Sequence, residues 1–257
     1  MIRWSVPAEH VGVATIDRPD RRNALNAELC DELRGHLEAS HALRAVVLTG
    51  EGAAFCAGAD ILRRAQDTGG LEHGGGDTFR PAFERVLDAI VDHPAPVIAA
   101  VNGAALGAGM QLAVACDLRV VAPTAKVGIP AAKLGVLLSA ANIRRLAVLV
   151  GQGAARDVLL SARVMTGNDL VHIGFTQRVA PDALASALEL ANEVAELAPL
   201  SVQGHKRALN VVADATALDD GALAAIRALE EGAFASDDLQ EGLAAFAEKR
   251  AARFTGR

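Results

Sequence analysis

The stretch Val11–Ile16 alternates along the chain with the two-residue period of a strand. From Leu25 to Leu37 the apolar positions move to helical spacing, and Ala45–Thr49 is again a compact apolar run of strand length. Val97–Val101, entered by Pro96 and left through Asn102-Gly103, repeats that signal, as does Leu118–Val121. Strands alternating with helices at this rhythm predict an α/β fold with a mainly parallel sheet. After about Pro181 the pattern is helical almost without interruption, through Ala185–Leu197, Val202–Val212, Ala222–Leu229 and Leu239–Ala247. The chain therefore divides into an α/β core, residues 1–195, and a helical C-terminal region, residues 196–257. Helices that cannot all bury their apolar faces within a small tail pack on the core or on a neighbouring subunit. The glycine-rich Gly69–Gly76 reads as a mobile loop.

Composition narrows the class. At 257 residues, 51% hydrophobic and 22% charged, the chain reads as an ordinary folded protein with a sizeable core. A formal charge of −6 argues against nucleic acid as a partner, because phosphate backbones are bound by basic faces. Cys30, Cys56 and Cys116 lack CxxC spacing, so neither a disulfide framework nor a metal site is expected, and they suit a reducing, cytoplasmic setting. The opening MIRWSVPAEHVGVATID has no cationic leader followed by an apolar core, and no signal peptide is expected. Val97–Val101 and Leu146–Val150 are far too short for a membrane span.

Three segments carry candidate chemistry. Ala54–Ile61 (AFCAGADI) is a small-residue loop just after a strand, Asn102–Leu112 (NGAALGAGMQL) runs from a strand end into a helix, and Asp17–Asn26 reads DRPDRRNALN. Small residues let a ligand approach the backbone, and a helix start presents unpaired N–H groups with a positive dipole. Two such loops facing each other could bind a developing oxyanion. Taken alone, a glycine-rich turn into a helix is usually just a turn.

Phe55–Ile61, Pro96–Asp117 (PVIAAVNGAALGAGMQLAVACD) and the ending Phe246–Phe254 (FAEKRAARF) resemble the landmarks of the crotonase (enoyl-CoA hydratase/isomerase) superfamily, in the same order and spacing. The resemblance covers essentially the whole chain. It implies a crotonase-like spiral of ββα units with a C-terminal helical trimerisation region, assembled as a homotrimer or a dimer of trimers. It also implies a coenzyme A thioester as ligand, with no separate cofactor. Matched residue by residue, the oxyanion donors would be the backbone N–H groups of Ala59 and Ala108. Ala108 stands where the family usually has glycine, and any residue except proline supplies that N–H. The same matching implies coenzyme A contacts from Arg22 and Ala24 near the phosphates, and from Ala57, Ala59, Asp60 and Ile61 around the adenine and pantetheine. Phe246 and Lys249 would reach in from the C-terminal helix of this or a neighbouring subunit. Without the resemblance, Arg21-Arg22 and Lys249-Arg250 read as solvated surface charge.

The departures from the family matter as much. Its hydratases use two glutamates to activate water and deliver a proton; those positions are Gln111 and Ala131 here. The position at which other relatives carry an aspartate is Ser139. Glutamine can orient a water but has no usable basicity, and alanine does neither. Each positioned acid or base is typically worth about 10²–10⁴ in rate, so ordinary hydration is not expected. Asp117 reads as a helix-to-strand turn residue bonding local N–H groups, and His172 and His205 as surface or structural histidines. Cys56 reads as a buried small hydrophobe without a base beside it.

Gly107–Leu112, Cys116–Pro123 and Ile143–Leu146 further resemble an actinobacterial subgroup that lacks the glutamates and is linked to acyl-CoA delivery for mycolic acid synthesis. That resemblance implies fatty acid synthesis enzymes as partners, and Ala131, Ala132, Leu137 and Leu138 would suit a dry fatty chain. The competing expectation is a crotonase-type enzyme in which Gln111 positions water or another residue serves as base.

Overall fold

The computed structural model describes residues 1–60, 78–214, 220–253 and 255. Strands β1 (Ile2–Ala8) and β2 (Val11–Ile16) form an antiparallel hairpin, turned through His10 at a left-handed φ of 65°. Helix α1 (Ala27–Glu38) starts at Asn26, whose side chain accepts from the Leu29 N–H, an N-cap of the usual kind. There follow β3 (Ala45–Gly50), β4 (Ala54–Cys56), α2 (Phe79–Asp92), β5 (Val97–Val101), β6 (Ala104–Leu106), α3 (Ala108–Ala115), β7 (Leu118–Val121) and β8 (Val127–Gly128). Helix α4 (Ala140–Leu160), broken in its helical geometry at Gly151, leads to β9 (Val164–Met165), α5 (Gly167–His172) and β10 (Arg178–Val179). The chain ends in α6 (Ala183–Glu196), α7 (Pro199–Asp214), α8 (Asp220–Phe234) and α9 (Asp237–Glu248).

Two sheets organise these elements. One runs β1-β2-β3-β5-β7-β10 and the other β4-β6-β8-β9. The pairs β3–β4, β5–β6 and β7–β8 each send the first strand to the large sheet and the second to the small one, and a helix follows each pair. This is the expected spiral of ββα units, and from β2 to β10 the large sheet is parallel. Every residue of β3 and β5 is buried, because both sheet faces are covered. Full burial is why those strands read as unbroken apolar runs rather than as alternating ones.

Helix α6 lies on β3, β5 and β7 and buries Ala187, Leu190 and Ala191 there. Helix α2 packs on α1 and α3, and α4 packs on α3. Helix α7 is pinned to the core by Lys206, whose Nζ donates to Ile90 O (3.1 Å), Ala95 O (3.1 Å) and Asp117 Oδ2 (2.8 Å). Helix α9 packs on the 3-10 turn Pro130–Leu134. Leu200, Leu209, Val211 and Val212 of α7 remain exposed. No helix among the described residues is long and apolar enough to cross a membrane. Ile61 and the expected mobile loop Gly69–Gly76 lie outside the described residues.

Candidate functional site

Two loops converge where β4 and β6 end. The chain after β4 runs beside residues 22–25: Ala57 N donates to Arg22 O (3.0 Å), Leu25 N to Gly58 O (2.8 Å) and Asp60 N to Leu25 O (2.7 Å). Because the groups on either side of Ala59 both pair with Leu25, the Ala59 N–H points to the opposite edge. Gly58 has φ of +111°, and a Cβ there would lie 3.0 Å from Leu106 O and 3.9 Å from Ala108 N. The Gly58–Ala59 turn therefore rests against the start of α3. Gln111 N donates to Gly107 O (3.1 Å), which leaves the Ala108 N–H among the orphan donors of the first turn. Among the described residues, neither the Ala59 nor the Ala108 N–H has an acceptor. Two unspent donors on adjoining loops, one at a helix N-terminus, can receive a negatively charged oxygen.

The contact depends on Gly109, where a Cβ would lie 2.1 Å from Cys56 O. At its far end α3 is held by Arg119, whose guanidinium donates to Cys116 O (2.6 Å), Ala113 O (3.1 Å), Asp117 O (3.1 Å) and Phe175 O (2.6 Å). A buried cation on the last carbonyls of a helix satisfies them and suits the dipole.

Asn23, fully buried at φ of +59°, ties the neighbouring loops together. Its Oδ1 accepts from Arg18 N (2.9 Å), and its Nδ2 donates to Glu51 O (2.9 Å) and Ala54 O (2.6 Å). Arg18 in turn donates to Ala24 O (3.1 Å) and pairs with Asp60 Oδ2 (2.8 Å). Asp60 is thus a buried partner of Arg18, while Ala24 and Ala57 are half-buried and the Arg22 side chain is exposed. The motif DRPDRRNALN pointed to this segment, but Arg18 and Asn23 gave no separate sequence signal because their partners lie on other loops.

At the other side of α3, Gln111 is half-buried, and among the described residues its side chain has no hydrogen bond. Ala131 lies in the Pro130–Leu134 turn. Ser139 is the N-cap of α4, and its hydroxyl donates to Glu84 Oε1 at 2.9 Å. Asn142 Nδ2 donates to the same oxygen at 2.8 Å, and Arg145 stands 3.8 Å from Glu84 Oε2 while pairing with Asp88 at 2.5 Å. A carboxylate therefore stands beside Ser139 after all, delivered from α2. Sequence reasoning missed Glu84 because a charged residue on an amphipathic helix looks like solvated surface.

The remaining expectations fall as follows. Asp117 is structural but through distant partners: it accepts from Val97 N (2.7 Å) and Lys206 Nζ, not from local N–H groups. Burial pushes its carboxyl above the usual range despite Lys206. Burial also pushes the Cys56 thiol up to about 12, and its Sγ faces Gly58 O. His172 and His205 are exposed. Phe246 is 55% exposed, Lys249 is exposed, and Arg250 pairs with Glu241 and Glu248. Among the described residues, Lys249 makes no ion pair or side-chain hydrogen bond, and no hydrogen bond joins it to Arg22, Ala24 or Ala57.

The enoyl-CoA hydratase/isomerase family model matches residues 8–257. The chain is 42% identical over 259 residues to a probable enoyl-CoA hydratase (echA6) of Mycobacterium tuberculosis, covering 97% of each. Among solved structures it is similar to a carnitinyl-CoA hydratase from Mycobacterium avium, with 33% identity, a TM-score of 0.82 and coverage of 100% and 98%. It is similar also to a methylmalonyl-CoA decarboxylase in complex with 2-nitronate-propionyl-CoA, with 25% identity, a TM-score of 0.89 and coverage of 100% and 98%.

Proposed function

The chain belongs to the enoyl-CoA hydratase/isomerase family, and on that premise we propose that it binds an acyl-CoA through a two-loop oxyanion hole without hydrating it. One observation carries the reading: the unspent N–H donors of Ala59 and Ala108 adjoin a helix on which the family's first glutamate position is Gln111, with Ala131 at the second. Hydration needs one group to deprotonate water and another to deliver a proton, and an amide and a methyl can do neither. The two donors and the α3 dipole remain able to hold a thioester oxygen.

The anionic coenzyme would find Arg22, exposed beside Ala57, and Lys249 of this or a neighbouring subunit, with Ala24 and Ala57 letting it approach the backbone. The methylmalonyl-CoA decarboxylase of similar fold holds a coenzyme A derivative, which supports this class of ligand. We read the exposed Leu200, Leu209, Val211 and Val212 of α7 as a face that a homotrimer, or a dimer of trimers, covers. In the finer form of the proposal, the protein delivers long-chain acyl-CoA to a cytoplasmic enzyme of fatty acid or mycolic acid synthesis. A second reading, a crotonase-type reaction other than hydration, is favoured by the Glu84 carboxylate at Ser139.

The test is turnover of a short and a long 2-enoyl-CoA, followed by loss of enoyl absorbance, with binding measured in parallel by calorimetry. Binding without turnover is expected, with hydratase activity gained in Gln111→Glu/Ala131→Glu. Turnover at ordinary enzyme rates of roughly 1–10³ per second would overturn the reading.

A further inference from the structure

The donor that Ala108 presents is the first peptide N–H of α3, and in an α-helix these bonds run roughly along the axis. The direction of the axis therefore sets where the donor aims. With eight residues α3 spans about 12 Å, so a sideways movement of about 2 Å at its far end tilts the donor by about 10°. Binding groups must be held within about 0.5 Å and 10–20° of their working geometry. Within α3 little fixes the direction: seven of its eight residues are buried and apolar, and apolar packing is non-directional. The pairing of β6 with β8 fixes where the helix starts, through Gly107 N to Gly128 O at 2.9 Å. Arg119, 5% exposed, lies across the other end. Its Nη1 donates to Ala113 O and Cys116 O, its Nη2 to Asp117 O, and its Nε to Phe175 O on a fully buried residue. The guanidinium also lies over the Phe175 ring, 5.7 Å from its centre. All four acceptors are backbone carbonyls, while the neighbouring Asp117 carboxylate goes to Val97 N (2.7 Å) and Lys206 Nζ (2.8 Å). Burying a cation costs stability, and an apolar residue of similar size would fill the same space at less cost. What an apolar residue lacks is a rigid fork that meets several carbonyls at set angles.

We infer that Arg119 is a positioning residue for the oxyanion donors: by gripping the last carbonyls of α3 it holds the axis along which the Ala108 N–H aims. The inference rests on the acyl-CoA reading above and deepens it. Arg119 touches no ligand and acts through α3 alone. Its charge works in the same direction as its grip. The negative pole of so short a helix would otherwise lie about 12 Å from the bound oxygen and oppose its binding, and the buried guanidinium offsets that pole.

The experiment measures, by calorimetry on the full-length protein, the affinities of butanoyl-CoA and of its thioether analogue, butyl-CoA. Their ratio reads what the carbonyl contributes, which a residue holding only the fold together would not move. The native protein should prefer the thioester. In Arg119→Met that preference should fall about 2–10-fold, the worth of one hydrogen bond, with the thioether bound as before. Arg119→Lys keeps the charge and loses the fork, so it should lose part of the preference, and it decides the matter if Arg119→Met does not fold. Lys206→Met breaks three buried hydrogen bonds, none of them to α3, and should leave the preference unchanged. A native preference in folded Arg119→Met, or in Arg119→Lys where it stands alone, overturns this inference and leaves the acyl-CoA reading intact. An equal loss in Lys206→Met does the same, because the preference would then follow general loosening. No thioester preference in the native protein overturns the paired-donor reading, and no binding the acyl-CoA reading, each taking this inference with it.

Discussion

Replacing Gly109 with alanine should separate the two donor loops and weaken the hold on a thioester carbonyl without touching any ligand contact directly. The new Cβ would sit 2.1 Å from Cys56 O, 2.9 Å from Cys56 C and 3.0 Å from Cys56 Cβ. Backbone cannot rotate away as a side-chain tip can, so α3 and the end of β4 must part by about 1 Å. Overpacking of this kind costs about 1–3 kcal/mol, and alanine's better helix propensity returns about 1, leaving a net loss of about 0–2 kcal/mol in unfolding free energy. Because Cys56 leads directly into Ala57-Gly58-Ala59, the same movement draws Ala108 away from Ala59. Loss of one of the two hydrogen bonds to the carbonyl is worth about 0.5–1.5 kcal/mol, or roughly 2–13-fold in affinity. Calorimetry with an acyl-CoA and with its thioether analogue, which has no carbonyl, isolates that contribution. The thioester should lose its advantage in Gly109→Ala while the thioether binds as before. Gly35→Ala, on α1 with nothing within 4 Å of the new methyl, should leave the ratio alone. An unchanged thioester-to-thioether ratio in a folded Gly109→Ala protein would refute the assignment of Ala59 and Ala108 as paired donors.

Two further outcomes concern stability. Lys206→Met removes three hydrogen bonds from Nζ and leaves Asp117 with the Val97 N–H alone, so urea unfolding should show a loss of about 2–4 kcal/mol. Adding Asp117→Asn should recover part of that loss, and a double variant no better than the single one would contradict the pairing. Burial, followed by repulsion from Lys206 and His41, lowers His93 to about 4, while Ala95 and Ser40 oppose the shift. With the folded value below the unfolded 6.5, the unfolded chain binds the extra proton first, so stability is fully present above about pH 6.5 and falls as the pH drops towards 4. The loss between pH 6.5 and 5 should be up to about 2 kcal/mol. Proton NMR checks the cause directly: the His93 ring signal should not titrate above pH 5, and a midpoint near 6.5 would exclude it.

Much of the fold was legible in the sequence, because a strand buried on both faces leaves a short apolar run and an amphipathic helix leaves a helical period. Val11–Ile16, Ala45–Thr49, Val97–Val101 and Leu118–Val121 became strands and the C-terminal stretches became helices, with ends shifted by a few residues. The backbone loops were legible for a related reason. Small residues at the end of a strand or the start of a helix are a local feature, and a motif records it. The short strands β4, β6 and β8 were not, since two or three residues carry no readable period and their pairing is wholly non-local. The resemblance to the family also put Gln111, Ala131 and Ser139 at its acidic positions. It could not establish that a carboxylate is missing from their surroundings. Glu84 is 55 residues from Ser139, and only the packing of α2 and α4 on α3 brings them to 2.9 Å. Lys206 and Asp117, 89 residues apart, and Asn23 with Ala54 follow the same rule. The sequence by itself determined which residue types were present and what periods they repeat with. Which polar groups face one another depends on how helices and strands pack across the core, and that only the tertiary structure decided.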